Sequence, residues 1–422
     1  MTHTPTLLHR DFILVVFGQI ISLFGNAILR FALPLYLLRE TGSSTLFGLV
    51  IACSFLPMIV LSLLGGVLAD RVNKRNIMVI LDFGTALLII AFSISLGRFP
   101  TVILIIITLM LLYGISGVYQ PAVQASLPLL VPPDKLLAGN AIINQVNTLS
   151  GLLGPIIGGI LFGLWGIYPL LLLSAACFAF SAAMELFIHI PYARRSASAS
   201  LLATTKNDLQ ESWLFIKKER PIFIPVILIL AAFNLALSPA MIVGIPVMVI
   251  NILRLNDAAL GLAQGIMGLG GFIGGLLTGL FAAKLQIGCS HLILRLCSLT
   301  AAIMGLALLP IVPPLAGYSL LLAMSLITMA VSTMFTIQMF TLIQQQTPPH
   351  LVGKIMASII AAAMCTQPLG QAIYGLLFDW WAALPWLVML VSASAAFIIS
   401  LFARPIFSQL ESQMPVLAIN QS

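Results

Sequence analysis

Charge is scarce in this sequence. Lys, Arg, Asp and Glu together make up 7% of its 422 residues, against about 25% in an ordinary soluble protein. Hydrophobic residues make up 60%, and the mean hydropathy is +1.13. Because no water-soluble core needs so much apolar surface, the composition excludes a soluble protein and predicts an integral membrane protein.

Residues that build catalytic and metal centres are also few. The five Cys are scattered without CxxC or Cys/His spacing, so neither a disulfide framework nor a metal site is indicated. The sequence contains no HExxH and no GxSxG, and its five His fall in tails or near membrane surfaces. We therefore expect no enzyme, no metal and no cofactor. A cleavable signal peptide is not expected either, because the first apolar run is too long and no small-residue cleavage site follows it.

The sequence is rich in long apolar runs. A helix needs about 20 apolar residues to cross the hydrocarbon of a bilayer, and twelve segments reach that length. We expect these spans at about 12–37, 45–68, 76–97, 102–126, 139–164, 168–190, 221–250, 258–282, 290–312, 316–342, 355–379 and 384–403.

The basic residues give the spans a direction. With the N-terminus inside, only Arg39, Arg98 and Arg254 of the 19 Lys and Arg fall on the outer side, and Arg30 falls within the first span. Cytoplasmic loops carry an excess of Lys and Arg, so we expect a cytoplasmic-membrane protein with both termini in the cytoplasm. The net charge of +7 has the same explanation, and no nucleic-acid partner is expected.

One polar segment divides the chain. Residues 191–220 begin Ser/Ala-rich and end with apolar residues at near-helical spacing, which predicts a cytoplasmic linker with a short helix on the membrane surface. The expected organisation is an N-terminal six-helix half at 1–190, this linker, a C-terminal six-helix half at 221–403 and a cytoplasmic tail at 404–422.

The two halves resemble each other. Offsets of 216 or 213 residues bring several residues into register, among them Gly154 with Gly370, Gly159 with Gly375, Trp165 with Trp381, and Gly48 with Gly261. Two parallel repeats of six spans are typical of secondary transporters, whose binding site lies between the repeats. We therefore predict an all-α integral membrane protein of twelve transmembrane helices in two halves related by a pseudo-twofold repeat.

A charged island, GVLADRVNKR, follows the second span. It resembles the signature that the major facilitator superfamily carries between spans two and three, G-x-x-x-D-R/K-x-G-R/K-R/K. The matching residues are Gly66, Asp70, Arg71, Lys74 and Arg75. Asn73 replaces the usual Gly, a mild departure because Asn tolerates a left-handed backbone better than most residues. The resemblance implies the major facilitator fold.

The single acid of this island is the candidate for an inner gate. Asp70 can contact the exposed amides of a neighbouring helix N-terminus or pair with a cation, and such a contact can form in one state and break in another. The bases serve equally well as plain topology anchors. Asp82, about two turns into span three, is assigned to the same gate, within reach of Arg71 or Arg75.

Span five contains SGLLGPIIGG, which resembles the antiporter motif of drug and metabolite exporters in the superfamily, G-x-x-x-G-P-x-x-G. Gly154, Pro155 and Gly158 are in place, Ser150 replaces the leading Gly, and Gly159 follows. The two motif glycines make a face that another helix can approach closely, and the proline bends the span. Any tightly packed helix pair could use these residues, but the motif favours export over import.

The remaining sequence is most similar to the branch of the superfamily that includes macrolide efflux proteins and the enterobactin exporter. The resemblance runs along the whole chain, from GQIISLFGNAILRFALPLYL through YQPAVQASLPLLVPPDKLLAGNA to DLQESWLFIKKERPI. It implies a monomeric secondary transporter that moves a small molecule through the lipid bilayer in exchange for protons. It does not identify the substrate.

Polar residues within the spans indicate the transport cavity, because such residues usually face the bundle interior or water. Spans one and four, which line the cavity in this superfamily, each carry a polar stripe at helical spacing. The candidate substrate or proton residues are Gln19, Ser22, Asn26, Arg30, Tyr113, Ser116, Gln120, Gln124, Asn234, Gln338 and Gln367. The rest of the cavity must be apolar, which suits a lipophilic substrate.

The charged residues among the spans leave alternatives open. Arg30 could bind an anionic group of the substrate, pair with an acid or snorkel to the outer surface. Acids able to carry protons are few, namely Asp82, Glu185 and Asp379. Asn26 stands where many members of the superfamily have an acid, so span one is not expected to hold a carboxylate proton site.

The leading hypothesis is a proton-coupled exporter of a small lipophilic or amphipathic compound, such as a macrolide, working by alternating access. A dedicated exporter of a metabolite or siderophore is the alternative, and uptake on the same fold is a further one. A receptor or purely structural role would leave the polar stripes unexplained.

Overall fold

A computed structural model of the protein describes residues 9–132, 135–190, 201–281, 286–348 and 351–419. Within these ranges it leaves undescribed the side chains at 63–64, 66–67, 69–71, 137, 201–209, 353, 357 and 413–419. Apart from one isolated bridge between Leu96 and Phe99, the regular elements of the described residues are helices.

The helices follow the predicted order of spans. The first six are α1 (Arg10–Thr41), α2 (Ser44–Arg71), α3 (Lys74–Ser95), α4 (Thr101–Leu130), α5 (Leu136–Trp165) and α6 (Ile167–Glu185). A more polar helix, α7 (Leu201–Lys218), comes next. The rest of the chain forms α8 (Phe223–Ala236), α9 (Ser238–Ile242), α10 (Gly244–Val247), a π-helix (Met248–Ile252), α11 (Asp257–Leu280), a 3₁₀ turn (Ile287–Cys289), α12 (Ser290–Leu306), α13 (Pro314–Gln345), α14 (Val352–Met364), α15 (Thr366–Trp380) and α16 (Trp386–Ile419).

Twelve helical segments of the described residues are long and apolar enough to cross a membrane, which confirms the twelve predicted spans. Span seven is not one continuous α-helix, because Pro239 and Pro246 each lack the N–H that continues a helix. Span eleven is interrupted between α14 and α15, at Cys365. The last helix continues beyond the predicted end at 403, where Phe407 and Leu410 are still buried.

The turn of the charged island differs from the expectation. Asn73 has φ −60° and ψ 118°, so this position does not take the left-handed conformation that glycine favours. Its side chain instead accepts a hydrogen bond of 3.0 Å from the backbone N–H of Arg75 and caps α3, which begins at Lys74. The side chains of Asp70 and Arg71, and any contact at Gly66, lie outside the described ones, so the gate at Asp70 stays a prediction.

The helices form two compact units. The first contains Met1–Gly42, Val50–Leu201 and Asn256–Gly265, and the second contains Ser43–Leu49, Leu202–Leu255 and Ile266–Ser422. The first unit therefore includes the start of α11, and the second includes the start of α2. These boundaries differ from a simple division of the chain at the linker.

Each unit has its own packed interior. In the first, an apolar cluster joins Phe12 of α1, Met78 of α3 and Val123 of α4, all with no exposed surface. In the second, Phe335 of α13 packs between Phe233 and Phe407, with ring centroids 5.5 Å and 6.2 Å away. These contacts fix the helix faces that carry the polar side chains described next.

Candidate functional site

Five polar side chains meet inside the first unit, and we call them the buried polar cluster: Gln19, Ser22, Asp82, Tyr119 and Glu185. Ser22 Oγ donates to Asp82 Oδ1 at 3.1 Å, and Gln19 Nε2 donates to the Tyr119 hydroxyl at 2.8 Å. The Tyr119 hydroxyl in turn donates to Glu185 Oε1 at 2.6 Å. Four helices, α1, α3, α4 and α6, supply these residues, so the cluster depends on how the helices pack.

The cluster is sealed from solvent. Asp82 is 2% exposed and Glu185 is 0% exposed. Each acid accepts a hydrogen bond through one carboxyl oxygen only, because Asp82 Oδ2 and Glu185 Oε2 have no partner, and Gln19 Oε1 has none either. Unpartnered buried polar atoms are rare in folded proteins and call for an explanation.

The contacts of Asp82 bear on its predicted place in the gate, although the side chain of Arg71, one of the two bases predicted to reach it, lies outside the described ones. The Asp82 carboxylate accepts from Ser22 of α1, and it lies two turns inside α3, a helix that packs against α6. Arg75 makes a different contact, since its Nη2 donates to the carbonyl of Leu186 at 2.6 Å. No contact between Asp82 and Arg75 is present among the described residues.

A second polar group lies two turns further along α1, and we call it the Arg30 site. The Arg30 guanidinium stands over the ring of Tyr113, 3.8 Å from the centroid, a cation–π geometry. Asn26 Nδ2 donates to Ser116 Oγ at 2.9 Å. Arg30 Nε and Nη2 and Asn26 Oδ1 are buried without partners, so the site keeps unused donors and one unused acceptor.

The structure thus divides the stripe predicted in span one. Gln19 and Ser22 join the buried polar cluster, whereas Asn26 and Arg30 contact α4. Two residues predicted in span four take no part in these contacts: Gln120 is half-buried and Gln124 is exposed.

Tyr119, which is not among the residues predicted from the sequence, links two members of the buried polar cluster. Its signal was present, because Tyr119 lies one turn after Ser116 and so extends the same stripe of α4. The sequence predicts Glu185 as an acid able to carry protons, and the structure adds its contact with Tyr119.

The second unit contains a cavity of about 280 Å³ beside the break in span seven. Its lining is mostly apolar with a few hydroxyl and amide groups: Phe233, Asn234, Leu237, Ser238, Met241, Ile242, Met267, Met329, Ser332, Thr333, Thr336 and Ile337. The boundary between α8 and α9 falls at Leu237, which is itself part of the lining.

Only one of the three polar residues predicted in this half lines the cavity. Asn234 does so, with its Nδ2 bonded to the carbonyl of Leu230 at 3.0 Å. Gln338 is turned to the start of α12, where its Oε1 accepts from Ser290 Oγ at 3.0 Å and its Nε2 donates to the carbonyl of Gln286 at 3.1 Å. Gln367 is buried and is not part of the lining.

The residues of the antiporter motif pack two helices onto α5. A Cβ atom on Gly158 would lie 3.1 Å from Phe31 Cδ1, and one on Gly154 would overlap the side chain of Ala27, so both glycines face α1. The carbonyl of Pro155 and the Cα of Gly159 face the start of α11, at Gly261. The motif therefore serves close packing on two sides of α5.

Comparisons with known proteins agree with this architecture. The sequence model of the Major Facilitator Superfamily matches residues 15–370. Macrolide efflux protein A of Streptococcus pyogenes is 24% identical over 371 residues, covering 86% of this chain and 88% of that protein. Enterobactin exporter EntS of Salmonella choleraesuis (strain SC-B67) is 23% identical over 385 residues, covering 87% and 85%. The multidrug efflux pump Tap of Mycolicibacterium fortuitum is 24% identical over 380 residues, covering 87% and 89%.

Solved structures show the same fold at low sequence identity. The nucleoside transporter NupG superposes with a TM-score of 0.73 at 12% identity, covering 94% of this chain and 99% of that one. A bacterial homologue of the iron transporter ferroportin superposes with a TM-score of 0.69 at 20% identity, covering 96% and 100%.

Proposed function

The chain belongs to the Major Facilitator Superfamily, and on that premise we propose that it exports a small lipophilic or amphipathic compound by alternating access, in exchange for protons. It is a multi-pass membrane transporter and not an enzyme. The proposal places it in the cytoplasmic membrane, as a monomer by its resemblance to the family, with both termini in the cytoplasm as the distribution of basic residues predicts.

The cavity of the second unit is the observation that carries the substrate class. Its walls combine Met241, Met267 and Met329, which are flexible and polarisable, with the ring of Phe233. Methionine-rich surfaces adapt to ligands of different shape, and a mostly apolar cavity with a few polar groups favours a lipophilic ligand that is oriented by hydrogen bonds. Efflux proteins among the relatives support export as the direction.

Breaks in a membrane helix support a role of this cavity in transport. Substrate sites of secondary transporters are often built where transmembrane helices are discontinuous. Here the discontinuity between α8 and α9 adjoins the cavity, and Leu237 and Ser238 at the break belong to its lining.

The Arg30 site favours a second candidate, a dedicated exporter of an anionic metabolite or siderophore. A guanidinium stays charged in proteins and offers five N–H donors, yet Arg30 Nε and Nη2 have no partner. A carboxylate, phosphate or phenolate on the substrate would satisfy them as a charge-assisted pair. The similarity to enterobactin exporter EntS supports this candidate as well.

Growth assays separate the two candidates. The wild-type protein is expressed in a susceptible strain that lacks its own drug efflux pumps, and inhibition by erythromycin, ethidium and rhodamine is compared with an empty vector. We expect relief for at least one compound and its loss in Asp70→Asn at an equal protein level. If no compound is relieved but a catecholate siderophore is secreted, the second candidate is supported. If neither relief nor secretion is observed, the result counts against export.

A matched pair of variants tests the cavity itself. Met267→Trp fills the cavity and should abolish the relief, whereas Leu276→Trp, on the same helix at a side chain that is 53% exposed, should leave it unchanged. Equal loss in both variants would show that the effect does not come from the cavity.

A further inference from the structure

We propose that Asp82 and Glu185 are the proton-carrying pair of this transporter, sharing an exchangeable proton within the buried polar cluster. This inference rests on the proposed proton-coupled function and assigns its coupling site. Geometry carries it: two acids from α3 and α6 lie in one sealed cluster, and each uses a single carboxyl oxygen.

No positive charge balances the two acids within the described part of the chain. Around them, α1 presents the amide of Gln19 and the hydroxyl of Ser22, and α4 presents the hydroxyl of Tyr119. From α6, the Ser181 hydroxyl donates to the carbonyl of Gly18 at 3.0 Å. All of these groups are neutral.

Two basic residues on the helices that supply the cluster make their contacts with other groups. Arg75, seven residues before Asp82 on α3, donates to the carbonyl of Leu186. Arg30, eight residues after Ser22 on α1, stands over Tyr113. Two ionised carboxylates without a partner cation are very costly in a buried site, so at least one proton stays with the pair.

The free atoms of the cluster fit a bound proton. A proton on Asp82 Oδ2 or Glu185 Oε2 turns an unpartnered acceptor into a donor, and the unpartnered Oε1 of Gln19 is an acceptor in the same cluster. Tyr119 both accepts from Gln19 and donates to Glu185. When Glu185 takes up or loses a proton, this hydroxyl can reverse its hydrogen bond without moving its ring.

The place of the cluster suits coupling. Glu185 is the last residue of α6, next to the side that the basic residues predict to be cytoplasmic, so a small opening of the helices gives protons a short path. Ser22 precedes Asn26 by one turn of α1, and Asn26 contacts Ser116. A change of charge at Asp82 therefore occurs one turn away from the Arg30 site, which we propose for an anionic group on the substrate.

Infrared spectroscopy tests the pair without any substrate, so its result is separate from the proposed export. The purified full-length protein in lipid nanodiscs is titrated with acid and base, and the carbonyl stretch of protonated carboxyl groups is followed in H₂O and D₂O. We expect a band that disappears on raising the pH and that is reduced in Asp82→Asn and in Glu185→Gln. Asp257→Asn, which removes an acid paired with Arg39, should keep the band.

A second measurement covers the case in which a variant does not fold. An isotope label at the side-chain carboxyl carbon of aspartate or of glutamate in the wild-type protein should shift the frequency of the same band. The proposal would be overturned by a band that is unchanged by both labels and both variants. It would also be overturned by a band that does not change with pH, or that responds to Na⁺ in place of protons.

Transport assays distinguish a role of the two acids in proton coupling from a purely structural role. In proteoliposomes containing erythromycin, Asp82→Asn and Glu185→Gln should lose accumulation driven by a pH gradient but keep exchange of labelled for unlabelled erythromycin. Loss of both activities in folded variants would instead assign the acids to structure. If wild-type protein carries no erythromycin, the proposed macrolide substrate fails while the infrared test of the pair stands.

Discussion

Gly159 of α5 lies against Gly261 of α11, so closely that a Cβ atom on Gly159 would be 3.0 Å from the Cα of Gly261. The repeat-related pair has the same relationship: a Cβ atom on Gly48 of α2 would be 3.1 Å from the Cα of Gly375 of α15. Gly159 corresponds to Gly375 at an offset of 216 residues, and Gly48 to Gly261 at 213. The internal repeat therefore preserves a pair of helix crossings, one in each compact unit.

The first prediction concerns these crossings. Gly159→Val should destabilise the folded protein by about 1–3 kcal/mol, because the added methyl groups overpack a site with no free space. Gly151→Val on the same helix is the control, since a Cβ atom there meets nothing within 4 Å. Thermal unfolding in detergent, followed by tryptophan fluorescence, measures both. Equal stability of the two variants would contradict the crossing.

The Tyr119 hydroxyl gives a second prediction. Tyr119→Phe should lower the free energy of unfolding, measured by thermal unfolding, by about 1–3 kcal/mol. The reason is that Gln19 loses its acceptor and Glu185 loses its donor inside a sealed cluster. Tyr168→Phe, at a ring that is 50% exposed, should change the stability little. The double variant Tyr119→Phe/Glu185→Gln should cost less than the sum of its single variants, and strict additivity would argue against the hydrogen bond.

Asp379 gives a third prediction. Its carboxylate accepts from Ser43 Oγ at 2.9 Å and from the backbone N–H groups of Ser44 and Thr45 at 2.8 and 2.9 Å. It therefore caps the start of α2 from another helix, and Asp379→Ala should destabilise the protein by about 0.5–2 kcal/mol.

Asp379→Asn is the informative companion, because the amide keeps an acceptor oxygen but loses the charge that favours a helix N-terminus. Thermal unfolding should place it between wild type and Asp379→Ala. An alanine variant as stable as wild type would show that the cap contributes nothing.

The Arg30 site gives a fourth prediction. Arg30→Gln should weaken transport of an anionic substrate far more than that of a neutral analogue, whereas Arg30→Lys should retain part of the activity because it keeps the charge without the planar fork. Tyr113→Leu should lose the cation–π contact, worth about 0.5–2 kcal/mol. Transport rates for matched anionic and neutral compounds in proteoliposomes measure the difference, and equal losses for the two compounds would refute an anion site.

Parts of the candidate site were predictable from particular residues. Asn26, Arg30, Tyr113 and Ser116 form stripes at helical spacing, and in the structure their contacts join α1 to α4. Gln338 fits the same kind of pattern in span ten, but it binds Ser290 and the backbone of Gln286. A polar residue in a span needs a partner of some kind, and its spacing alone does not tell whether that partner is a substrate or a neighbouring helix.

Hydropathy and basic loops are local properties of a chain, so the sequence alone predicts the number of spans and the orientation of the chain in the membrane, and its motifs indicate the family. Asp82 and Glu185 lie 103 residues apart in the sequence, and they meet in one buried cluster, Asp82 bonded to Ser22 and Glu185 to Tyr119, only once the helices are packed. The physical reason lies in the membrane. Lipid tails are as apolar as leucine, so an apolar face does not reveal which neighbour it packs against. Close contacts of small and polar side chains select that neighbour, and they become visible only when the helices are assembled.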